Sequence, residues 1–309
     1  EDTTMQSMAS VAHRIQKILA EKRAASSQAA TMTNSRGSLE KAVDRCPKCK
    51  GMGYLLAEDG WTVLLGPDNR PLVCKCQKQK LTKERMRAAM IPDEFVDAEL
   101  DNYEVTNPAQ ETLYNAIISY LNDFEQLMGV KAEERSRQNS IGFIAKFGEQ
   151  KFKMIRDYKE QAQAKRMHNN FGLGKTHLQV AAAKELIKRG HSVLIVSDVV
   201  LMDELMMAKR ADDQGASYFK LLGQVINAQV LVWDDIGKSS PSEARKSTYF
   251  QIINERYKAR RPILFSSNED VETLGDRIGD GALSRLLGMS RGRLYRVEGP
   301  DYRLTGGVQ

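Results

Sequence analysis

The stretch Phe171-Gly172-Leu173-Gly174-Lys175-Thr176 opens an amphipathic run from His177 to Arg189, and it constrains this chain more than any other. It is most of the pattern G-x-x-x-x-G-K-[ST], a glycine-rich turn between a strand and a helix. Glycines let backbone N–H groups wrap phosphate oxygens. The helix N-terminus adds the positive end of its dipole. In such a loop Lys175 reaches the β- and γ-phosphates and the Thr176 hydroxyl ligates Mg²⁺. Asn169, Asn170, Phe171, Gly172, Leu173, Gly174 and His177 complete the candidate phosphate cradle.

Two departures stand out. The first pattern position is Asn169, not Gly. Asn tolerates left-handed backbone better than other non-glycine residues, so the expectation is that the loop survives it. The residues just before the loop, 164–168, do not read as a buried strand. Either 146–168 is an insertion between strand and loop, the preferred reading, or a weak strand lies near 166–168.

After Gln138, short apolar runs alternate with helical segments. Residues 140–145, 192–196, 230–233, 262–265 and 294–297 read as strands. Helical periodicity marks 175–189, 199–209, 217–227 and 241–258. The alternation predicts an α/β fold with a parallel sheet covered on both faces. No solenoid-type repeat is visible. Upstream, Asn107-Pro108 is a helix start. Leu113, Ile117, Tyr120, Leu121, Phe124 and Leu127 follow at helical spacing as a core face. A short basic helix is expected at 80–89, ending before Ile91-Pro92.

The run Val230-Leu231-Val232-Trp233 ends in Asp234-Asp235. Open α/β sheets bind ligands at the C-terminal ends of their strands. There the first acid would hold the Mg²⁺ shell and the second would polarise an attacking water. Ile263-Leu264-Phe265-Ser266-Ser267-Asn268 is another strand with a polar end, and Asn268 is placed to meet a γ-phosphate or the lytic water. With a strand between loop and acid pair, the order resembles the additional-strand P-loop ATPases of the AAA+ class. The N-K-x-D guanine motif is absent, which favours ATP over GTP.

Four cysteines make two close pairs, Cys46-Pro-Lys-Cys49 and Cys74-Lys-Cys76, 24 residues apart. A C-x-x-C knuckle presents two thiolates to one tetrahedral Zn²⁺, and the C-x-C pair completes the set. Redox or free thiols are the alternative. Tyr54–Leu56 and 61–65 suggest a hairpin between the pairs. Four protein ligands leave no open position, so this zinc would be structural. Such clustering points to a reducing, cytoplasmic setting rather than a disulfide scaffold. CPKCKGMG also matches the repeat of DnaJ-type co-chaperones, but in a single copy without a J-domain.

The N-terminal segment carries Met5, Met8, Val11, Ile15, Ile18 and Leu19 at spacings of three and four. That is an amphipathic helix. The Ser-, Ala- and Thr-rich 26–38 stretch then reads as a linker. A helix held on a linker either docks on a partner, the preferred reading, or folds back. The chain opens on Glu1, and no apolar core with a small-residue cleavage site marks a secretory leader. No apolar run approaches the ~18 residues of a membrane helix, so no membrane partner is expected.

The formal charge of +6 is uneven. Residues 1–90 hold 16 basic and 9 acidic residues, and 91–309 hold 30 and 31. The basic excess therefore belongs to the N-terminal third. It favours an acidic protein partner over nucleic acid there.

Several stretches together resemble one family. FGLGKTHL, VLVWDDIG, IINERY and ILFSSN are similar to DnaC/DnaI-type replicative helicase loaders. CPKCKGMGY and VCKC, followed by IPDEF and the Asn-Tyr before NPAQ, look like the zinc module and linker of the Gram-positive, phage and mobile-element branch. The resemblance covers roughly 44–305. It implies an AAA+ ATPase that uses ATP and Mg²⁺, binds a hexameric replicative helicase, self-associates on it and helps place it on single-stranded DNA. By the same resemblance Lys175 and Thr176 are the Walker A pair, Asp234 and Asp235 the Walker B pair, and Asn268 the sensor. Arg285, in Gly281-Ala-Leu-Ser-Arg-Leu286, would be the arginine finger acting on a neighbour's nucleotide.

Only 24 residues follow Arg285, so the helical lid domain of many AAA+ proteins is not expected. The implied division is 1–38 amphipathic helix and linker, 39–90 zinc-binding helicase-interaction module, and 91–309 ATPase domain. Arg256, Lys258, Arg260 and Arg261 are a candidate DNA-binding cluster or a solvated face. Two other readings stay open: an IstB-like transposase helper ATPase, or a non-catalytic zinc-ribbon adaptor with a degenerate P-loop.

Overall fold

The structure, a computed structural model, describes residues 46–67, 69–129 and 131–302. The amphipathic segment and the linker expected within 1–38 lie outside the described residues. The described residues divide into two compact units, 46–74 and 75–302.

The larger unit is built on five parallel strands: β1 (Ile141–Ala145), β2 (Val193–Ser197), β3 (Val230–Asp234), β4 (Ile263–Ser266) and β5 (Leu294–Val297). Their order is β2-β3-β4-β1-β5. Register is fixed by pairs such as Val232 with Leu264 and Phe143 with Ser266. β4 lies between β1 and β3, the strand with the acid pair. This is the P-loop AAA+ sheet, as expected.

Ten α-helices are described: α1 (Lys75–Ala88), α2 (Pro108–Met128), α3 (Glu149–Met154), α4 (Tyr158–Met167), α5 (Lys175–Arg189), α6 (Asp198–Lys209), α7 (Ala216–Asn227), α8 (Glu243–Lys258), α9 (Val271–Ile278) and α10 (Asp280–Met289). Successive side chains of a strand point to opposite faces, which gives the sheet two cores. Val230 and Val232 join Leu113, Ile117 and Phe124 of α2 and Leu178 and Leu186 of α5. Leu231 and Trp233 face the other way, onto Leu201, Leu222, Ile252, Leu274 and Leu286 from α6 to α10. Trp233 is fully buried and stacks on Tyr249 at 5.6 Å. Truncating it to Ala would cost about 3–5 kcal/mol.

The helix boundaries have local causes. Asn107 caps α2, its side chain accepting from Gln110 N, with Pro108 at the first helical position. Gly174 (φ 76°) and Gly190 (φ 106°) bound α5 in left-handed backbone, where other residues are strained.

Some elements differ from expectation. α1 starts at Lys75, five residues before the predicted helix, so Cys76 lies in its first turn. α9 and α10 carry no apolar run long enough to register by period, and they bury their apolar faces against α8. Segment 146–168 is an insertion of two helices, α3 and α4, with no strand before the loop. The basic cluster also reads differently. Arg256 is fully buried, its guanidinium donating to the carbonyls of Val225, Ile226, Ala228 and Pro262. Arg260 serves Glu133 O and Arg135 O, and Arg261 serves Ile226 O and Asn227. These guanidinium contacts hold neighbouring loops together, while Lys258 is exposed and paired with Glu255.

Among the described residues no helix is long and apolar enough to cross a membrane. In the smaller unit, Leu56 faces Val63 across the expected hairpin. Two further antiparallel bridges, Tyr54 with Val73 and Leu65 with Pro71, add a third segment that the spacing did not reveal.

Candidate nucleotide and metal sites

The phosphate loop, the end of β3 and the end of β4 meet at one cavity of about 560 Å³. Its walls include Asn170 through His177, Asp235, Lys238 and Asn268. Lys175 is buried, with its Nζ 2.9 Å from Asn170 O and 2.8 Å from Asn268 Oδ1. The Asn268 Nδ2 donates to Asp235 Oδ1 at 2.9 Å. One amide thus bridges the loop cation and the second acid. The Thr176 hydroxyl lies 3.0 Å from both oxygens of Asp234.

Ser266 sets the acids apart. Its hydroxyl donates to Asp234 Oδ1 at 2.5 Å and accepts from Asp235 N at 2.9 Å. Asp235 has φ 53°, an uncommon left-handed value that turns its carboxylate away from the strand. Burial first, then the charge of Asp234, pushes the Asp235 carboxyl above the usual carboxylate range, while Lys175 opposes the shift. A carboxylate raised in this way is a better proton acceptor than a free one.

The residues present fit a magnesium–nucleotide ligand. The Thr176 hydroxyl and Asp234 carboxylate are hard oxygen donors side by side. The buried Asn170 Oδ1 has no hydrogen-bond partner among the described residues. At Gly174, a Cβ would come within 2.6 Å of the Tyr103 ring, so only glycine lets the loop close up there.

Asn169 works differently from expectation. It is not among the described residues with positive φ. Its Nδ2 instead donates to Phe171 O at 3.0 Å and Gly299 O at 2.7 Å. Gly299 N returns a bond to Asn169 O, and Tyr302 N bonds Gly172 O. The side chain that replaces glycine ties the loop to the segment after β5.

A second wall was not legible in the sequence. Phe95, Asn102, Tyr103 and Glu104, ahead of α2, and Gln110, in its first turn, line the cavity. Lys184 of α5 holds this segment through Val96 O, Ala98 O and Glu99, and His177 bonds Glu99 O. Tyr103 OH donates to Leu173 O at 2.7 Å, and burial pushes its phenol well above the ordinary range. The Asn-Tyr pair was the one signal, carried by resemblance alone.

Arg285 is not in this cavity. It sits on α10, bonded to Asn254 Oδ1 and Gly281 O, its guanidinium 4.7 Å from the Phe250 ring centre.

The four cysteines converge, with sulfurs all within 4.8 Å of one another. Cys46 Sγ and Cys74 Sγ are 3.8 Å apart. Tetrahedral Zn–S bonds of ~2.3 Å place sulfurs about 3.8 Å apart, so the donor set fits zinc. Lys50 (φ 48°), Gly51 (φ 90°) and Gly53 (φ 81°) wind the chain into the knuckle. Gly53 O then accepts from Cys74 N at 2.8 Å.

Comparison with known proteins adds to this geometry. Residues 150–304 match the family described as IstB-like ATP binding protein. The replicative helicase loader DnaC of Escherichia coli K12 is 32% identical over 136 residues, 44% of this chain and 55% of that protein. A putative ATP-binding protein of insertion sequence IS21 from Pseudomonas aeruginosa is 32% identical over 138 residues, 43% of this chain and 49% of that protein. The chain thus spans about half the length of these relatives. In fold it is similar to the crystal structure of the DnaC helicase loader, with TM-score 0.50 and 21% identity over 67% of this chain and 100% of that one.

Proposed function

Because the chain belongs to the IstB-like ATP-binding protein family, we propose that it is an ATP-hydrolysing loader of a hexameric replicative helicase. It would bind that helicase, self-associate on it and help place it on single-stranded DNA in the cytoplasm during replication initiation. The observation that carries the catalytic half is the Asn268 amide, bonded to Lys175 on one side and Asp235 on the other.

In this reading Lys175 and the loop N–H groups bind the β- and γ-phosphates. Thr176 and Asp234 would hold Mg²⁺, which would neutralise developing phosphate charge. Asp235 accepts a hydrogen bond from the attacking water and takes its proton. Asn268 keeps lysine and acid in register and meets the γ-phosphate. Arg285 of a neighbouring copy supplies the remaining positive charge.

The partner half rests on the four-thiol module. Its hairpin exposes Trp61 (79%), Leu65 and Tyr54. Apolar side chains clustered on so small a unit mark an interaction surface. A basic N-terminal third would suit an acidic helicase domain.

A transposase-helper role is the second reading, favoured by the equal identity to the IS21 protein. The degenerate-loop reading fares worse. Lys175, Thr176, Asp234, Asp235 and Asn268 keep hydrogen-bond distances that a decayed site has no reason to keep. Turnover of ATP with single-stranded DNA present, compared with Lys175→Ala, tests this. Equal rates would return the chain to a non-catalytic adaptor.

A further inference from the structure

The inserted helix pair is not used by the mechanism above. α4 is ten residues long and buries none of them. Isolated helices of that length are marginal in water, and a helix polar all round gains nothing from a core. Its attachments are at its base. Gln161 Nε2 donates to Phe152 O, and His168 stacks on Phe147 and meets Glu298. α3 is better fixed, through buried Phe152 and through Lys151 bonded to Asp270.

What the pair presents outward is basic and apolar together. Residues 149–168 hold six Lys or Arg against three Asp or Glu. Lys151 and Lys153 are spent on carboxylates. Arg156, Lys159 and Arg166 are exposed, with no carboxylate in ion-pair range among the described residues. Between them stand Tyr158 (81% exposed), Met154 (72%) and Met167 (63%). Lys159 and Arg166 are seven residues apart and share one face of α4, as do Tyr158 and Lys165.

We infer that α3 and α4 form a contact surface for single-stranded nucleic acid, with Arg156, Lys159 and Arg166 on phosphates and Tyr158 stacking on a base. Unpaired cations interleaved with an exposed aromatic ring are the elements of single-strand binding. The excess of unpaired cations over the exposed Asp157 and Glu160 favours a polyanion over an apolar protein groove. The surface rests on the loader reading, since that reading supplies the strand. α4 runs into the phosphate loop through His168 and Asn169.

The test uses the full chain with a non-hydrolysable ATP analogue and a fluorescein-labelled oligothymidylate, titrated across salt. Replacing Arg156, Lys159 and Arg166 together with Ala should lower the log–log salt slope by about 2, since each single-strand phosphate contact contributes ~0.7. Tyr158→Ala should weaken binding about tenfold and leave the slope unchanged. Both variants should keep the wild-type thermal midpoint and basal ATP turnover, because α4 buries no residue. Wild-type affinity and slope in both variants would overturn the surface while leaving the loader reading intact. So would loss of helicase binding with DNA binding retained, which would make the face a protein dock. A wild-type chain that binds helicase but no oligonucleotide overturns the surface and the DNA half of the loader reading together.

Discussion

The Nζ of Lys175 lies 2.8 Å from the amide oxygen of Asn268, joining the first turn of α5 to the residue after β4. The same amide's nitrogen meets Asp235. Lysine and acid are therefore positioned by one neutral side chain.

Replacing Asn268 with Ala removes the bridge but no phosphate-binding N–H group. ATP turnover should fall about 100-fold, in the range seen on losing one preorganised donor. Affinity for a fluorescent ATP analogue should stay within about threefold. Loss of binding equal to that of Lys175→Ala would make Asn268 a structural residue only.

Asp235 gives a pH signature. Its carboxyl is raised in the fold by burial and by Asp234. The folded state therefore holds a proton that the unfolded state has already released above about pH 4. Stability from this group is complete at acid pH and is lost as pH rises through the raised value. Asp235→Asn should thus melt higher than wild type at pH 7.5, with the gap closing toward pH 4, and should have no turnover. A melting difference independent of pH would contradict the assigned environment.

Much of this site is legible in the sequence because it is local. Gly172 to Thr176, Asp234-Asp235 and Asn268 each end or begin an element whose periodicity is plain. Residues whose role depends on distant backbone were not. Nothing in the sequence says that Arg256 is buried under four carbonyls rather than turned to DNA. Tyr103 reaches Leu173 across seventy positions, and no pattern records that. α4 escaped because a helix without an apolar stripe has no period to read. Backbone tolerance does not explain Asn169, because its side-chain amide is what holds the loop.

The thiol cluster predicts about one zinc per purified chain by metal analysis. Cys49→Ser should lose that ion and, with it, helicase binding, because the hairpin that carries Trp61 is closed on the cluster. Nucleotide affinity should not change. Zinc well below one per chain in wild type would leave redox or free thiols as the account of these cysteines.

Arg285 predicts complementation between copies. Arg285→Ala and Lys175→Ala proteins should each be nearly inactive, the first keeping a sound phosphate loop and the second a sound arginine. Mixed in equal amounts on the helicase, they should regain about a quarter of wild-type turnover if neighbours pair at random. No gain on mixing would confine Arg285 to its contacts with Asn254 and Phe250.

The loader claim itself is tested most directly by size exclusion of the full chain with its cognate hexameric replicative helicase, with and without ATP. The expected result is one co-eluting complex, strengthened by ATP and abolished when residues 1–74 are removed. The cut belongs before Lys75, because Ala89 lies in the sheet core and its carbonyl accepts from Ile195 N at 2.9 Å. Separate elution of the two proteins under every nucleotide condition would contradict it.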